Sequence, residues 1–327
     1  MIITALLGNS LVIYSSSKFH AIHLDSGSVI LIENLAITDI SLILIAYVPK
    51  IVTLVAGRWV LGGVICYITA FGQFMPGATE IITLTLISAY RCYLIKYPFR
   101  ANPTVWLTKV LIGVTWLAAA TAPAIFVLSN KSTAIFDVRT LACVTDVARH
   151  HRIIVLASLI FFGIIPVTLT ILFNVYLLVC AFTMKRRGKT FNTNAIVTVS
   201  LICWVFILSW MPYIVRALMA LSRPLPSWFY IVQYKLNILS LTLNPIIYTF
   251  TNRKFRIFIQ RRLMRAKLHF RYLWSFLLAP CFSSHANIGS NGFVDSKTPK
   301  PDLKLVKFGR LNIQSARILK HSRVSFI

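Results

Sequence analysis

An all-α membrane protein, seven transmembrane helices with a short amphipathic helix after the last, is the fold that three observations predict. The 327-residue chain is 57% hydrophobic and only 13% charged, with a mean hydropathy of +0.75. A soluble domain of this size could not hide that much apolar surface. Apolar runs recur along it at the length of a membrane span, for which about 20 residues suffice. Its basic clusters fall between those runs, so the net charge of +26 reads as membrane orientation rather than nucleic-acid binding. Neither a short-period repeat nor a pair of inverted halves is visible.

The spans are expected at Met1–Tyr14, Val29–Val55, Val64–Ile95, Val105–Leu128, Ile153–Met184, Ala195–Leu221 and Trp228–Phe250, here numbered 1 to 7. Span 1 is short, so at about 1.5 Å per residue Met1 would begin inside the bilayer, as in a chain cut back at the outer end of its first helix. With the C-terminus inside, the inner segments hold 25 of the 34 Lys and Arg, sixteen of them after Phe250. That bias places the N-terminus outside in a plasma-membrane protein. Cys66 and Cys143 then both lie on the outer side, where a pair oxidises, and no other cysteine is placed to compete. Asn130-Lys131-Ser132 is a glycosylation sequon in the same outer loop as Cys143.

Span 7 carries Leu243-Asn244-Pro245-Ile246-Ile247-Tyr248, and span 6 carries Ser209-Trp210-Met211-Pro212-Tyr213. A proline removes a backbone donor, and in lipid the freed carbonyl must find its partner inside the protein. Asn244, beside Pro245, is a candidate for that service. Asp39 falls in mid-bilayer on span 2 and is costly there unless paired or hydrated.

Taken together, these residues resemble the rhodopsin-like (class A) family of G-protein-coupled receptors over about Gly8 to Lys267. Span 1 has Gly8-Asn9, span 2 Asn34-Leu35-Ala36-Ile37-Thr38-Asp39, and Trp59 precedes Cys66. Arg91 follows Cys66 by 25 residues, and Trp116 follows Arg91 by 25. Phe162 and Pro166 mark span 5, Phe206, Trp210 and Pro212 span 6, and Asn244, Pro245 and Tyr248 span 7. The resemblance implies a receptor, not an enzyme. An outer ligand would alter packing around Trp210 and Phe206, and helix 6 would swing about Pro212. Arg91 and Tyr248 would then line an inner opening for a heterotrimeric G protein. It also implies a sodium ion near Asp39 and Asn244 as an allosteric group, with Asn9 close by. Glu80 falls where the family has a small hydroxyl residue and, with Ser240, would add oxygens. Two close carboxylates either hold a cation or keep a proton.

Departures from the family pattern matter as much. Tyr90 precedes Arg91 in Ala89-Tyr90-Arg91-Cys92, where an acid is usual, and Asn192 occupies the span 6 position of a second acid. Asn174 stands where a tyrosine usually meets the arginine. Raised basal activity is one consequence, and an uncoupled decoy or arrestin-linked receptor the alternative. In the outer pocket, Gln73 replaces the aspartate of amine receptors and Ile238 the opsin lysine, which argues against a biogenic amine and a retinal Schiff base. Gln73, Gly77, Ser158, Tyr213, Arg216 and Tyr234 are the expected ligand-pocket residues, with a peptide slightly favoured and a melatonin-like ligand left open. Pro76-Gly77 is expected to distort span 3 at pocket level.

The receptor domain is assigned to residues 1–268, including a juxtamembrane helix over 252–268 whose bases face anionic inner-leaflet lipid. Residues 269–327 form a basic cytoplasmic tail with the composition of a disordered segment, with Cys281 open to acylation and Ser325-Phe326-Ile327 resembling a terminal recognition motif. A transporter using Asp39 and Glu80 is the rival from another class. No nucleotide loop, metal cluster or catalytic pairing points to an enzyme or a further cofactor.

Overall fold

The computed structural model describes residues 1–20, 26–97, 105–128, 133–138, 140–146, 152–186, 193–219 and 226–251, with 255–257, 260 and 264. Asn130, Asn192, Cys281 and the C-terminal motif lie outside these. The chain divides into two units, Met1–Arg256 and Ile257–Ile327. The first holds the whole bundle. In the second, residues 257, 260 and 264 are helical.

Span 1 is α1 (Ile2–His20), and span 2 is α2 (Ser26–Leu42), a π-helical turn (Ile43–Tyr47) and α3 (Val48–Ala56). Span 3 comprises α4 (Gly62–Gly72) and α5 (Phe74–Lys96), and span 4 is α6 (Val105–Leu128). A hairpin of β1 (Thr133–Asp137) and β2 (Ala142–Asp146) follows. Span 5 is α7 (Arg152–Leu159), a second π turn (Ile160–Ile164) and α8 (Ile165–Arg186). Spans 6 and 7 are α9 (Thr193–Met219) and α10 (Ser227–Thr251). The first helix runs past its apolar segment to His20, and along that stretch Ser15 and Ser17 donate back to Val12 O and Tyr14 O, both at 2.8 Å.

α1 packs on α2 and α10, α2 on α5 and α6, α8 on α9, and α9 on α10. α5 is the hub, touching α2, α6, α8 and α9. Leu7, Leu117, Phe161, Phe182, Leu208 and Phe250 point outward and exposed, the apolar belt expected of a surface that meets lipid. Among the described residues, five stretches qualify by length and composition as membrane-crossing, namely Gly27–Ala56, Gly62–Lys96, Val105–Ile125, Ile153–Met184 and Ile196–Arg216. α1 is a shorter apolar helix, and α10 is broken up by Gln233, Lys235, Asn237, Ser240 and Asn244.

Prolines account for the irregular turns. Pro49 and Pro166 deprive the carbonyls four residues earlier of their donors, and the helical ladder widens just ahead of each. Val48 N–H donates to Ile43 O and Ile165 N–H to Ile160 O, both i to i−5 bonds. Pro76 does the same to the carbonyl of Gly72, and span 3 breaks there, α4 ending at Gly72 and α5 starting at Phe74. Pro245 leaves the Leu241 carbonyl without its donor. The residue that serves it is Asn9 of α1, whose Nδ2 donates to Leu241 O at 3.1 Å. Asn244, the neighbour expected to do so, points to Asp39 instead. An adjacent side chain projects away from its own helix, whereas a facing helix can reach the exposed carbonyl.

Cys66 and Cys143 form a disulfide with Cα atoms 5.2 Å apart, closing 77 residues of chain. It ties the hairpin, where Cys143 pairs with Phe136, to the start of α4. Both sulfurs are buried with Ala70 and Phe71, and Trp59, Phe136 and Val155 pack against them. Trp59 Nε1 also donates to Gly62 O at 2.9 Å, which fixes the turn between α3 and α4. Cys143→Ser is expected to cost about 2–4 kcal/mol. The check is thermal unfolding of purified protein beside the reduced wild type, where equal, lowered midpoints are the expected result.

Candidate functional site

At the outer end, a cavity of ≈ 470 Å³ opens between the spans. Gln73, Gly77, Ser158, Tyr213, Arg216 and Tyr234 all line it, together with Phe206 and Trp210. Asp137, Thr140 and Val144 of the hairpin region contribute to its wall, so the disulfide holds part of that wall in place. Trp210 stacks on Phe206 at 5.4 Å and meets Tyr213 edge-on at 5.5 Å. A Cβ on Gly77 would lie 3.3 Å from Cη2 of Trp210, so glycine at this point lets the indole sit against α5. Lys235 is exposed and Ile238 is buried, and neither lines the cavity.

Among the lining residues that the sequence does not point to are Tyr47, Lys50, Gln233 and Asn237. Lys50 reads as one more outer-side base. The π turn is what hides it, because an inserted residue rotates α3 by about a third of a turn against α2. A count at 3.6 residues per turn therefore assigns the wrong face. Lys50 Nζ lies 4.2 Å from the Tyr234 ring centroid, and Tyr47 packs on the same ring at 5.3 Å.

Below the cavity residues, the middle of the bundle is polar. Asp39, Glu80 and Ser240 have no exposed surface, and Asn9 and Asn244 almost none. Asn244 Nδ2 donates to Asp39 Oδ2 at 3.0 Å. Glu80 faces Asp39 closely enough for the two carboxyls to share a proton, and its oxygens have no other hydrogen-bond partner. Asp39 Oδ1, Asn9 Oδ1, Asn244 Oδ1 and Ser240 Oγ are also without a hydrogen bond. Oxygens of this kind can take a hard cation, and a proton shared between the two carboxyls is the other way to satisfy them. A second polar lock lies beside them: Asn34 Nδ2 donates to Thr83 Oγ1 at 2.8 Å, and Trp116 Nε1 donates to Asn34 Oδ1 at 3.0 Å.

Toward the inner end, the residues around Arg91 take new partners. Tyr90, standing where an acid is usual, is buried with its ring against α2. A Cβ on Gly27 would lie 2.5 Å from the Tyr90 hydroxyl, so the ring occupies the notch that the glycine leaves. Asn174 Nδ2 donates to Ser88 Oγ at 2.9 Å, and Ser88 Oγ lies 3.4 Å from Cys203 Sγ. These contacts join α5, α8 and α9 by short uncharged side chains. Tyr248 is buried, with its ring edge-on to Phe255 at 6.4 Å. Pro212 lies inside α9, and Asn237, with its amide turned to donate, reaches Ser209 O at 2.8 Å beside that break.

A bundle of helices with a cavity at one end, a buried polar centre and a proline-broken span 6 has the architecture of a seven-transmembrane receptor. Residues 8–248 match the family described as 7 transmembrane receptor (rhodopsin family), and the chain belongs to it. Its members are receptors and not enzymes, and the chain is a multi-pass membrane protein of the class A G-protein-coupled type. It is 24% identical over 251 residues to melatonin receptor type 1B of Gallus gallus, covering 71% of this chain and 85% of that one. It is 27% identical over 282 residues to medium-wave-sensitive opsin 1 of Rattus norvegicus, covering 78% and 75%. The crystal structure of squid rhodopsin superimposes with a TM-score of 0.69 at 20% identity, over 81% of this chain and 83% of that one. That last likeness shows the shared fold.

α1 and α10 also approach closely. A Cβ on Gly8 would fall 2.6 Å from Cγ of Pro245, a rigid ring that cannot step aside. Gly8→Val is therefore expected to cost about 1–3 kcal/mol by overpacking. It should lower the unfolding midpoint of purified protein, while the same change at Gly113, where an added Cβ meets nothing within 4 Å, should cost less.

Proposed function

We propose that this receptor takes an extracellular ligand in the outer cavity and couples it to a heterotrimeric G protein by outward movement of α9 about Pro212. The observation that carries this is the reach of one helix. α9 supplies Phe206, Trp210, Tyr213 and Arg216 to the cavity, and Cys203 to the inner contact with Ser88. A ligand that favours one packing of Trp210 against Gly77 biases the inner end through the same rod, a population shift driven by differential affinity. The N-terminus lies outside and the C-terminus in the cytoplasm of a plasma-membrane protein, with the basic stretch after Phe250 against lipid. Gln73 in the cavity argues against a biogenic amine, and Ile238 against a retinal Schiff base. The cavity is of a size that accepts a small molecule or the end of a peptide, and a peptide is the preferred reading.

The oxygens of Asp39, Glu80, Ser240 and Asn244 suit a sodium ion, with Asn9 beside them. Such an ion would neutralise the two carboxylates and hold α2, α5 and α10 together in the resting state. External sodium is accordingly expected to lower basal output, and Glu80→Ala to blunt that response. A sodium response unchanged in Glu80→Ala would count against the assignment.

Tyr90 and Asn174 favour a second reading, in which the receptor acts as a decoy or through arrestin. At the inner end Tyr90 fills its notch and Asn174 donates to Ser88, and no acid precedes Arg91. The transporter alternative has no observation in its favour once the chain belongs to the receptor family. Basal second-messenger output at matched surface expression decides between the two receptor readings. Output well above mock cells, falling at least about fivefold in Arg91→Ala, is expected for a coupled receptor with a coupling effect of about 1 kcal/mol. Good surface expression and brisk internalisation without output would establish the decoy or arrestin reading instead.

A further inference from the structure

We propose that the ligand of the outer cavity carries a carboxylate, held between Lys50 of α3 and Arg216 of α9, with an aromatic or aliphatic body seated toward Trp210. The inference rests on the reading of the cavity as a ligand site and narrows it to a chemical class.

Two cations line the cavity from opposite helices, and each is held at the wall by an aromatic ring. Lys50 Nζ sits 4.2 Å from the Tyr234 centroid, and Arg216 Cζ sits 4.9 Å from that of Tyr213. Both are half-buried, and they are near enough to repel one another. Two like charges facing a low-dielectric cavity are costly, and an anion between them converts repulsion into two attractions. Asp137 is the one acid among the described lining residues, and neither Lys50 nor Arg216 forms an ion pair with it. Arg216 Nε is buried without a hydrogen-bond acceptor, an open donor on the group whose planar fork matches a carboxylate. Gln233, on the same turn as Tyr234, lines the cavity too, with its Oε1 buried and unpartnered, a place for a neutral N–H or O–H of the ligand. Deeper in, Phe162, Phe206, Ile207 and Trp210 present apolar surface. A charged mouth over an apolar floor fits an amphipathic acid.

The carboxylate belongs either to a small organic acid or to the C-terminus of a peptide, and one experiment separates the two. Receptor in neutral phosphatidylcholine nanodiscs is titrated with dansyl-glycine and with dansyl-Gly-Leu-Phe. The amide of each is run in parallel, and the signal of empty discs is subtracted. At least one acid is expected to bind about tenfold tighter than its amide, the worth of one charge-assisted contact. The tighter acid identifies the source. Lys50→Gln and Arg216→Gln should each erase most of that preference without moving the ligand-free unfolding midpoint. Arg216→Lys, which keeps the charge and loses the fork, should keep part of it and guards against a misfolded glutamine variant. Equal affinity for acid and amide, failure of both acids to bind, or a preference that survives in the double glutamine variant would each overturn the proposal. Guanine-nucleotide exchange on added G protein, read on the same discs, reports coupling separately. Exchange without acid preference sinks the carboxylate alone, and acid preference without exchange sinks the coupling reading alone.

Discussion

Inside a bilayer a backbone carbonyl that loses its donor cannot turn to water, and much of this bundle follows from that constraint. Pro245 breaks the ladder of α10 and strands the carbonyl of Leu241. Asn9 reaches across from α1 to satisfy it, and Gly8, one residue earlier, lets the proline ring come close enough for that bond. The first and last helices are thereby locked together, which closes the ring. Asn244, relieved of the same duty, turns inward to Asp39. One proline thus fixes a helix pair and frees the side chain that organises the polar centre.

The same logic distributes the other polar groups. Thr85 donates to the carbonyl of Pro166 and pairs with Thr170, which fastens α5 to α8 below the second π turn. Asn34 bridges Thr83 and Trp116, so α2, α5 and α6 meet at one amide. Buried hydrogen bonds of this kind contribute only about 1 kcal/mol each, but leaving one unmade costs more, so they specify register more than they add stability. Several buried polar atoms stay without a hydrogen bond, among them the oxygens around Asp39 and Glu80, and Arg216 Nε and Gln233 Oε1 at the cavity wall.

The inner end shows how a departure from a family's pattern can be repacked. With no acid preceding Arg91, one contact between α2 and α5 here is an aromatic ring in the notch of Gly27. Asn174, where the family usually has a tyrosine, meets Ser88 directly, and Ser88 lies against Cys203. Restraint by packing differs from restraint by charge, because it is insensitive to ionic strength and gives way only when the helices separate.

Much of this was written in the order of residues. Spans of about 20 apolar residues can be read directly, since hydrocarbon thickness sets their length and composition. Two outer cysteines define one disulfide, and a signature at fixed spacing identified the ring and six residues of its cavity. Two kinds of fact needed the folded chain. Widened turns at Ile43–Tyr47 and Ile160–Ile164 shift the helical register, so the cavity face of Lys50 and Tyr47 cannot be counted from a constant period. Partner choice was the other, because Asn9 and Leu241, or Tyr90 and Gly27, lie far apart in sequence and are matched by shape. Local composition decided which segments enter the membrane and which residues carry chemistry. Only the packing of one helix against another decided whom each polar group meets.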